Sequence, residues 1–208
     1  MVEGGHRPHI SLFHLVLEAL AAKRDAREAW RVLALMKQSG TQPDVTAYNL
    51  ALRAQNGLQS ADSLLKEMVE AGVAPDRGTY TAMLRACRMS RDITRALELF
   101  TQMEASNPSF VDVHTWNMLL HAIIASGNPQ SALQKAAKMA QRSLAPDAFT
   151  CSLLLAAHAA LGDQTEVDGL VSQMSASGVE IPPAYYPWVI EGYAQGGLMQ
   201  RAEDTLEA

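Results

Sequence analysis

The chain of 208 residues lacks most of the features that mark enzymes, disulfide-rich domains and membrane proteins. Its two cysteines, Cys87 and Cys151, have no CxxC partner and lie in apolar stretches, which disfavours a disulfide framework. Aromatic residues make up only 6% of the chain, a low share for a β-rich core. The longest apolar run, AFTCSLLLAAHAAL, is too short and too interrupted to span a bilayer. We therefore expect no membrane span and an interior of small aliphatic residues.

Sequence motifs of catalysis are missing as well. The chain contains no Walker loop and no GxGxxG, GxSxG or HExxH pattern. Its six histidines are scattered, and although His114 and His121 could share a helix face, no acidic or thiol partner completes a metal site beside them. We therefore expect the chain not to be an enzyme and to hold neither a metal ion nor a cofactor.

Basic residues are almost absent from the last third of the chain. Residues 1–142 hold 16 basic and 13 acidic residues, whereas residues 143–208 hold nine acidic residues and one base, Arg201. This asymmetry indicates different partners for the two ends, because an acidic surface repels a polyanion. Protein partners are therefore expected to use residues 143–208, and an acidic, solvated surface without a partner is the alternative.

The chain does contain a clear internal repeat. Methionines recur at steps of 32, 35, 36 and 35 residues, and two further series follow nearly the same steps. The methionines are Met36, Met68, Met103, Met139 and Met174. The second series is Tyr48, Tyr80, Trp116, Cys151 and Tyr186, and the third, which ends each unit, is Asp44, Asp76, Asp112, Asp147 and Pro182. The agreement of the three series predicts tandem units of about 35 residues.

Each unit has the pattern of two helices. In residues 113–147, apolar residues from Trp116 to Ile124 recur at helical spacing, and Gly127, Asn128 and Pro129 then mark a helix end and a new helix start. One such pair cannot bury its apolar face alone. The sequence therefore predicts an all-α fold, an α-solenoid superhelix of helix–turn–helix repeats with a concave inner surface. The predicted units are 10–44, 45–76, 77–112, 113–147, 148–182 and a partial 183–208, after an N-terminal extension of residues 1–9.

The strings PDVTAYNLAL, PDRGTYTAML, VDVHTWNMLL and PDAFTCSLLL resemble the start of pentatricopeptide repeats. The GNPQSAL-like turn and the late methionine of each unit match as well, and the Trp…Leu-Gly…Tyr pattern of tetratricopeptide repeats is missing. The resemblance covers roughly residues 10–208. It implies sequence-specific binding of single-stranded RNA in mitochondria or chloroplasts, one base per repeat, with a role in RNA processing, stability or translation.

The resemblance also implies that the fifth and the last residue of each unit contact the base. The middle pairs are Asn49 with Asp76, Thr81 with Asp112, and Asn117 with Asp147, to which the family's code assigns uracil, guanine and uracil. The outer pairs are His14 with Asp44, which has no dependable meaning in the code, and Ser152 with Pro182, which lacks a second polar side chain. The second residues, which clamp the base in the family, are Ser11, Thr46, Gly78, His114, Phe149 and Ala184, and of these Phe149 makes a convincing clamp.

Two observations keep other interpretations open. An Asp directly before a helix is a strong N-cap without any ligand, so the aspartates that end the units could all be caps. The family's late lysine of the first helix is replaced by Ala22, Met89, Ala125, Ala160 and Gln195, although Lys23, Arg24, Arg85 and Arg88 lie nearby. The alternative function is a protein–protein scaffold subunit of a large organellar assembly, with little or no RNA in the solenoid groove.

The start of the chain differs from an organellar targeting segment. The string MVEGGHRPH carries Glu3 and lacks the Arg- and Ser-rich amphipathic character of a transit peptide. An organellar location therefore follows from the resemblance alone. If the protein is imported, we expect this chain to be a mature form or a fragment.

Overall fold

The fold is a row of paired helices. The computed structural model describes residues 8–178 and 186–201, and the regular structure within those ranges is helical throughout. The helices are α1 (Ile10–Lys23), α2 (Ala26–Gln38), α3 (Val45–Ala54), α4 (Leu58–Glu70), α5 (Arg77–Ser90), α6 (Ile93–Ser106), α7 (Val113–Ala125), α8 (Pro129–Gln141), α9 (Ala148–Ala160), α10 (Gln164–Ala176) and α11 (Tyr186–Gln195). Residues 199–201 are also helical, and Pro108–Phe110 form a 3-10 turn. The predicted positions Pro182 and Ala184 lie outside the described residues.

Local sequence signals start and stop these helices. At the starts of α2, α3, α5, α6, α7, α9 and α10, an aspartate Oδ1 accepts the backbone N–H three residues on. Between α7 and α8, Gly127 adopts a φ of +82°, a left-handed conformation that glycine tolerates without a steric penalty. Asn128 then caps α8, and Pro129 is the first residue of that helix. The predicted punctuation of this unit is therefore confirmed.

The helices form two layers. The first helices of successive pairs (α1, α3, α5, α7, α9 and α11) contact one another in order. The second helices (α2, α4, α6, α8 and α10) pack on the first helix of their own pair, and α2, α4, α6 and α8 also contact the first helix of the next pair. This is the arrangement of an α-solenoid, and the predicted fold class is confirmed. Each of the first five helix pairs lies within one of the predicted units, whose boundaries remain a prediction.

The repeated methionines and aromatic residues supply much of the core. Met36, Met68 and Met103 are 0% exposed, and Met139 and Met174 are buried as well. Tyr48, Tyr80 and Trp116 are buried at equivalent places in successive pairs, where flexible and aromatic side chains fill the space between helices. Each helix pair therefore buries its apolar face against its neighbours, in one cluster that runs from α1 to α9 and a second cluster shared by α9, α10 and α11.

Ion pairs connect successive second helices on the outer layer. Lys37 of α2 contacts Glu67 of α4 at 2.7 Å, Arg95 of α6 contacts Asp62 of α4 at 2.7 Å, and Arg142 of α8 pairs with Glu104 of α6. These pairs join neighbouring units through their second helices. Over the described residues, the structure contains no helix of the length and apolar character that crossing a membrane requires.

The last pair of first helices is packed backbone to backbone. A Cβ atom on Gly192 of α11 would lie 2.5 Å from the Ala156 carbonyl oxygen of α9, and one on Gly196 would lie closer still to the Ala159 oxygen. Glycine at these two positions therefore permits the close approach of α11 to α9.

Candidate nucleic-acid interface

The four aspartates that precede the first helices α3, α5, α7 and α9 are N-caps. Their Oδ1 atoms accept the backbone N–H of Ala47, Thr79, Thr115 and Thr150 over distances of 2.7 to 2.9 Å. The capping role that the sequence left open is therefore present in all four. It does not exclude contact with a base, because a carboxylate has a second oxygen.

Asn49 and Asp76 meet as a hydrogen-bonded pair. Asn49 Nδ2 donates to Asp76 Oδ1 over 2.9 Å, and the Thr79 hydroxyl donates to Asn49 Oδ1 over 2.6 Å. Asn49 is half-buried, so part of its amide is accessible. Asp76 Oδ1 accepts from Asn49 Nδ2 and from the Thr79 backbone N–H. This pair can therefore offer an amide N–H and a carboxylate oxygen to a ligand.

Asn117 and Asp147 repeat this arrangement with less exposure. Asn117 Nδ2 donates to Asp147 Oδ1 over 2.9 Å, and Thr150 Oγ1 donates to Asn117 Oδ1 over 2.7 Å. Asn117 is only 1% exposed, whereas Asp147 is exposed. A base at this position would therefore meet the carboxylate before the amide.

Thr81 and Asp112 are not hydrogen-bonded to each other. The Thr81 hydroxyl donates to the backbone oxygens of Arg77 and Gly78 within its own helix. Asp112 Oδ2 instead accepts from the Arg77 guanidinium at 2.5 Å. The predicted pair thus lies beside Arg77, a residue that sequence reasoning missed. The signal was visible, because the neighbouring units have Val at the first position, where this unit has Arg77.

The outer predicted residues have different surroundings. His14 Nε2 lies 2.9 Å from Asp44 Oδ1, so these two side chains meet. Ser152 is 0% exposed and its hydroxyl donates to the Phe149 carbonyl at 2.7 Å. Its predicted partner Pro182 lies outside the described residues. The half-buried Phe149 ring meets the His121 ring edge-on, with centroids 5.9 Å apart.

The capping carboxylates are held in their charged form. Burial of the Asp76 carboxyl raises its pKa, but hydrogen bonds from the Thr79 backbone and the Asn49 side chain outweigh burial, and the net pKa is lowered. The pKa of Asp147 is lowered in the same way by Thr150 and Asn117 against the effect of burial. Burial likewise opposes the lowering of the Asp112 pKa, which the Thr115 backbone and Arg77 bring about. All three groups therefore act as hydrogen-bond acceptors at neutral pH.

A group of arginines lies at the opposite ends of the first helices. This arginine group comprises Arg24 after α1, Arg53 in α3, and Arg85 and Arg88 in α5. Burial, together with the charges of Arg24, Arg53 and Arg88, lowers the pKa of Arg85. None of the four forms an ion pair with a described residue. The Arg85 guanidinium donates to the Arg53 carbonyl oxygen, but no described carboxylate neutralises these charges, which favours binding of an anion.

The basic character of the first-helix surface ends at α7. A cavity of about 340 Å³ lies between α5, α7, α9 and α11, with Arg88 and His121 on one part of its wall and Glu191 on another. Burial and the charge of Arg88 lower the pKa of His121 to about 4, so this side chain is neutral at neutral pH. The surface thus changes from basic at α5 to neutral at α7 and acidic at α11.

Two family models match the chain. The model described as the pentacotripeptide-repeat region of PRORP matches residues 51–182. A second model, described as the pentatricopeptide repeat domain, matches residues 1–56. Together these matches extend over most of the helical pairs.

Curated proteins and solved structures of the same kind are similar over most of the chain. A chloroplastic pentatricopeptide repeat-containing protein of Arabidopsis thaliana is 26% identical over 85% of this chain and 24% of its own length. The mitochondrial 15S rRNA processing factor ppr3 of Schizosaccharomyces pombe is 23% identical over 99% of this chain and 31% of its own length. The chain thus spans less than a third of either relative.

The crystal structure of the pentatricopeptide repeat protein PPR10 from maize superposes with a TM-score of 0.73 and 26% identity. The match covers 99% of this chain and 30% of that protein. The structure of PPR10 in complex with an 18-nt psaJ RNA element superposes with a TM-score of 0.65 and 23% identity, over 98% of this chain and 34% of that protein. This second likeness shows a shared fold.

Proposed function

Because this chain belongs to the pentatricopeptide repeat family, we propose that it binds single-stranded RNA along its first helices. The observation that carries the proposal is the pairing of two features on this layer: polar base-contacting candidates at the starts of α3 and α5, and the unpaired arginine group towards their ends. The polar candidates can contact the edges of unpaired bases, and the arginine group can contact the phosphate backbone.

Helix geometry aligns the two features. Arg85 and Arg88 follow Thr81 by four and seven residues, and Arg53 follows Asn49 by four, so each arginine lies on the helix face of its base-contacting candidate. Seven residues correspond to about 10 Å along the helix axis. A strand crossing the first helices would therefore have base edges near Asn49 and Thr81 and phosphates near the arginine group. These arginines would replace the lysines that the family places late in the first helix.

The chemistry of Asn49 and Asp76 suits uracil. Uracil presents a carbonyl acceptor next to its N3–H donor, whereas cytosine has an acceptor at N3. An Asn49 N–H together with the Asp76 carboxylate offers a donor beside an acceptor, which complements uracil when the amide faces O4 and the carboxylate faces N3–H. In the same register, cytosine would place its N4–H against the donor and its N3 against the acceptor. At the Thr81 position, Arg77 occupies the Asp112 carboxylate, so the guanine that the family code implies would have to compete with this ion pair.

RNA processing, stability or translation in an organelle is the role that we propose for this binding. The names of the relatives support it, because one is chloroplastic and the other is a mitochondrial rRNA processing factor. The arginine group lies on or directly after α1, α3 and α5, so the phosphate contacts are assigned to these helices, whereas the proposed base contacts extend to Asn117 of α7.

A protein-binding role for the acidic end is the second candidate. Glu191 lies in the wall of the groove cavity, and residues 143–208 carry nine acidic residues and a single base. This part of the chain suits a basic protein surface better than RNA. Copurification of a stable complex after nuclease treatment would support a scaffold role, whereas release by ribonuclease would contradict it.

Removal of the arginine group tests the RNA-binding proposal. We expect the triple variant Arg53→Gln/Arg85→Gln/Arg88→Gln to bind a fluorescent, UGU-containing RNA more weakly, because up to three phosphate contacts are lost. The slope of log affinity against log salt should fall by about 2, at about 0.7 per contact on a single strand. Fluorescence anisotropy over a salt series measures both effects.

The matched control carries the same loss of charge on the outer layer. Arg27, Lys66 and Lys138 are exposed residues of the second helices, and Arg27→Gln/Lys66→Gln/Lys138→Gln should keep the affinity and the salt slope. Equal losses in the two triple variants would indicate nonspecific electrostatic attraction. Binding that is micromolar or weaker and indifferent to sequence would contradict the proposal.

A further inference from the structure

We propose that Thr79 is a positioning residue for base recognition and that it acts across a unit boundary, by holding the Asn49 amide of the preceding unit in the orientation that presents a donor to uracil. Thr79 belongs to the predicted unit 77–112, whereas Asn49 and Asp76 belong to the unit 45–76. The inference rests on the proposed RNA binding. It adds a third residue, from the following unit, to the pair that the family resemblance implies.

The three side chains form a closed hydrogen-bonded set. Thr79 Oγ1 lies 2.6 Å from Asn49 Oδ1 and 3.0 Å from Asp76 Oδ1, and Asn49 Nδ2 donates to Asp76 Oδ1 over 2.9 Å. Thr79 Oγ1 also accepts the Asp76 backbone N–H at 3.1 Å, so the hydroxyl proton is available to the nearest acceptor, Asn49 Oδ1. Thr79 is 0% exposed, and water therefore does not compete for this proton.

This set determines what Asn49 offers to a ligand. A free asparagine amide can rotate and present either its oxygen or its nitrogen. Here Oδ1 accepts from Thr79 and one Nδ2–H donates to Asp76, which leaves the second Nδ2–H for a base. If the amide were rotated, Asn49 Oδ1 would face Asp76 Oδ1, and these two oxygens would repel each other. The Thr79 hydroxyl thus stabilises the donor orientation.

The same hydrogen-bonded set recurs two units later, but unit 77–112, which lies between, does not have it. Thr150 Oγ1 donates to Asn117 Oδ1 over 2.7 Å, while Asn117 Nδ2 donates to Asp147 Oδ1. In the intervening unit, 77–112, the fifth residue is Thr81 instead of asparagine, and the Thr115 hydroxyl of the following unit contacts the Asp112 backbone oxygen at 2.9 Å.

Thr115 is a matched control for Thr79. Both threonines complete a capping box at the start of a first helix, in which the side chain accepts the backbone N–H of the capping aspartate. Both are 0% exposed. Replacing either by valine therefore removes the same capping contact from the same buried environment, but only Thr79→Val also removes a hydrogen bond to an asparagine amide.

The experiment compares base preference in the full 208-residue chain. Dissociation constants for fluorescent 8-nt oligouridylate and oligocytidylate give a selectivity ratio for the wild type, Thr79→Val, Thr79→Ser and Thr115→Val. We expect Thr79→Val to reduce the preference for uracil about three- to tenfold, the worth of one hydrogen bond. Thr79→Ser, which restores the hydroxyl, and Thr115→Val should keep the wild-type ratio.

Side-chain NMR provides a readout independent of RNA. The Asn49 amide protons should exchange with water faster in Thr79→Val than in the wild type or Thr115→Val, because the amide is no longer held on both sides. Thermal denaturation of the two valine variants checks that both are folded and similarly destabilised. If Thr79→Val does not fold, Thr79→Ala gives the same comparison.

The outcomes separate the two proposals. A wild type that prefers oligouridylate, with an unchanged ratio in Thr79→Val, would overturn the positioning role and leave the RNA-binding proposal intact. An equal loss of selectivity in Thr115→Val would overturn it too, because the effect would then belong to the capping box. A wild type that binds neither oligonucleotide would overturn RNA binding and the positioning role with it.

Discussion

Gly78 leaves the space that the Asn49 amide occupies. It lies at the clamp position of its unit, where the family usually has a branched apolar side chain, and it is exposed. A Cβ atom at Gly78 would lie 2.9 Å from Asn49 Nδ2 and 3.2 Å from Asp76 Oδ1. The Asn49 amide therefore lies closer to the first turn of α5 than a side chain at position 78 would allow.

Gly78→Ala should therefore have opposite effects on stability and on recognition. Alanine favours the first turn of α5 over glycine, by at most about 1 kcal/mol, so the thermal midpoint should stay equal or rise. The added methyl group should displace the Asn49 amide and weaken the preference for oligouridylate. Thermal denaturation and fluorescence anisotropy measure the two effects.

Gly169→Ala is the matched control for this substitution. Gly169 lies in α10, and a methyl group added there would have no neighbour within 4 Å, so alanine should add helix stability and leave RNA binding unchanged. An unchanged uracil preference in Gly78→Ala would show that Asn49 tolerates a Cβ beside it.

The capping carboxylates link the stability of the helices to acid. The pKa values of Asp76, Asp112 and Asp147 are lowered in the folded chain from an ordinary value of 3.8. Groups with lowered folded pKa values contribute stability above their unfolded pKa and lose it as the pH falls through the folded values. Their contribution is therefore complete at neutral pH and is lost below about pH 4.

The triple variant Asp76→Asn/Asp112→Asn/Asp147→Asn should flatten this dependence. Asparagine also caps helices, so the variant should fold, and it should be less stable than the wild type at pH 7. The difference should shrink as the pH falls from 4 towards 2. Urea denaturation followed by circular dichroism across this range measures it. Parallel acid curves for the variant and the wild type would refute the assignment to these carboxylates.

The helices and their caps follow from the sequence, whereas the environment of each polar side chain does not. Periodic apolar residues, Asp caps and Gly127 fix where helices begin and end, because these signals act within a few neighbouring residues. The burial of Asn117 depends on how α7 packs against α9, which no local pattern records. The contact of Arg77 with Asp112 likewise joins residues 35 positions apart.

Base-contacting candidates could thus be located by counting, but their accessibility could not. Asn49 and Asn117 occupy the same place in their units and make the same hydrogen bonds, yet one is half-buried and the other is 1% exposed. From the sequence, Arg24, Arg85 and Arg88 could be recognised as basic residues near the positions of the family's late lysines. The arginines come together as one group only because α1, α3 and α5 lie side by side.

Along the solenoid, the close contact between α9 and α11 predicts a local response to substitution. Gly196→Ala would force a methyl group against the Ala159 carbonyl, which belongs to the backbone and cannot move aside cheaply. Because each pair of a solenoid contacts its neighbours alone, the damage should stay near that end. Hydrogen exchange should show lost protection in α11 and part of α9, with α1 to α6 unchanged.

The stabilising substitution Gly169→Ala again serves as the control, since it lies in the adjacent helix α10 without a close neighbour. It should leave protection in α11 intact. Loss of protection in all helices of Gly196→Ala would show instead that the solenoid unfolds as one cooperative body.

The hydrogen bond from Thr79 to Asn49 has a consequence for the use of these repeats as interchangeable parts. If a segment that ends at Asp76 is grafted in front of a different repeat, Asn49 loses the Thr79 hydroxyl that holds its amide. Grafting or shuffling of repeats should therefore preserve base preference when the junction follows the third residue of the next repeat. A junction at the repeat boundary itself separates the recognition group from its support.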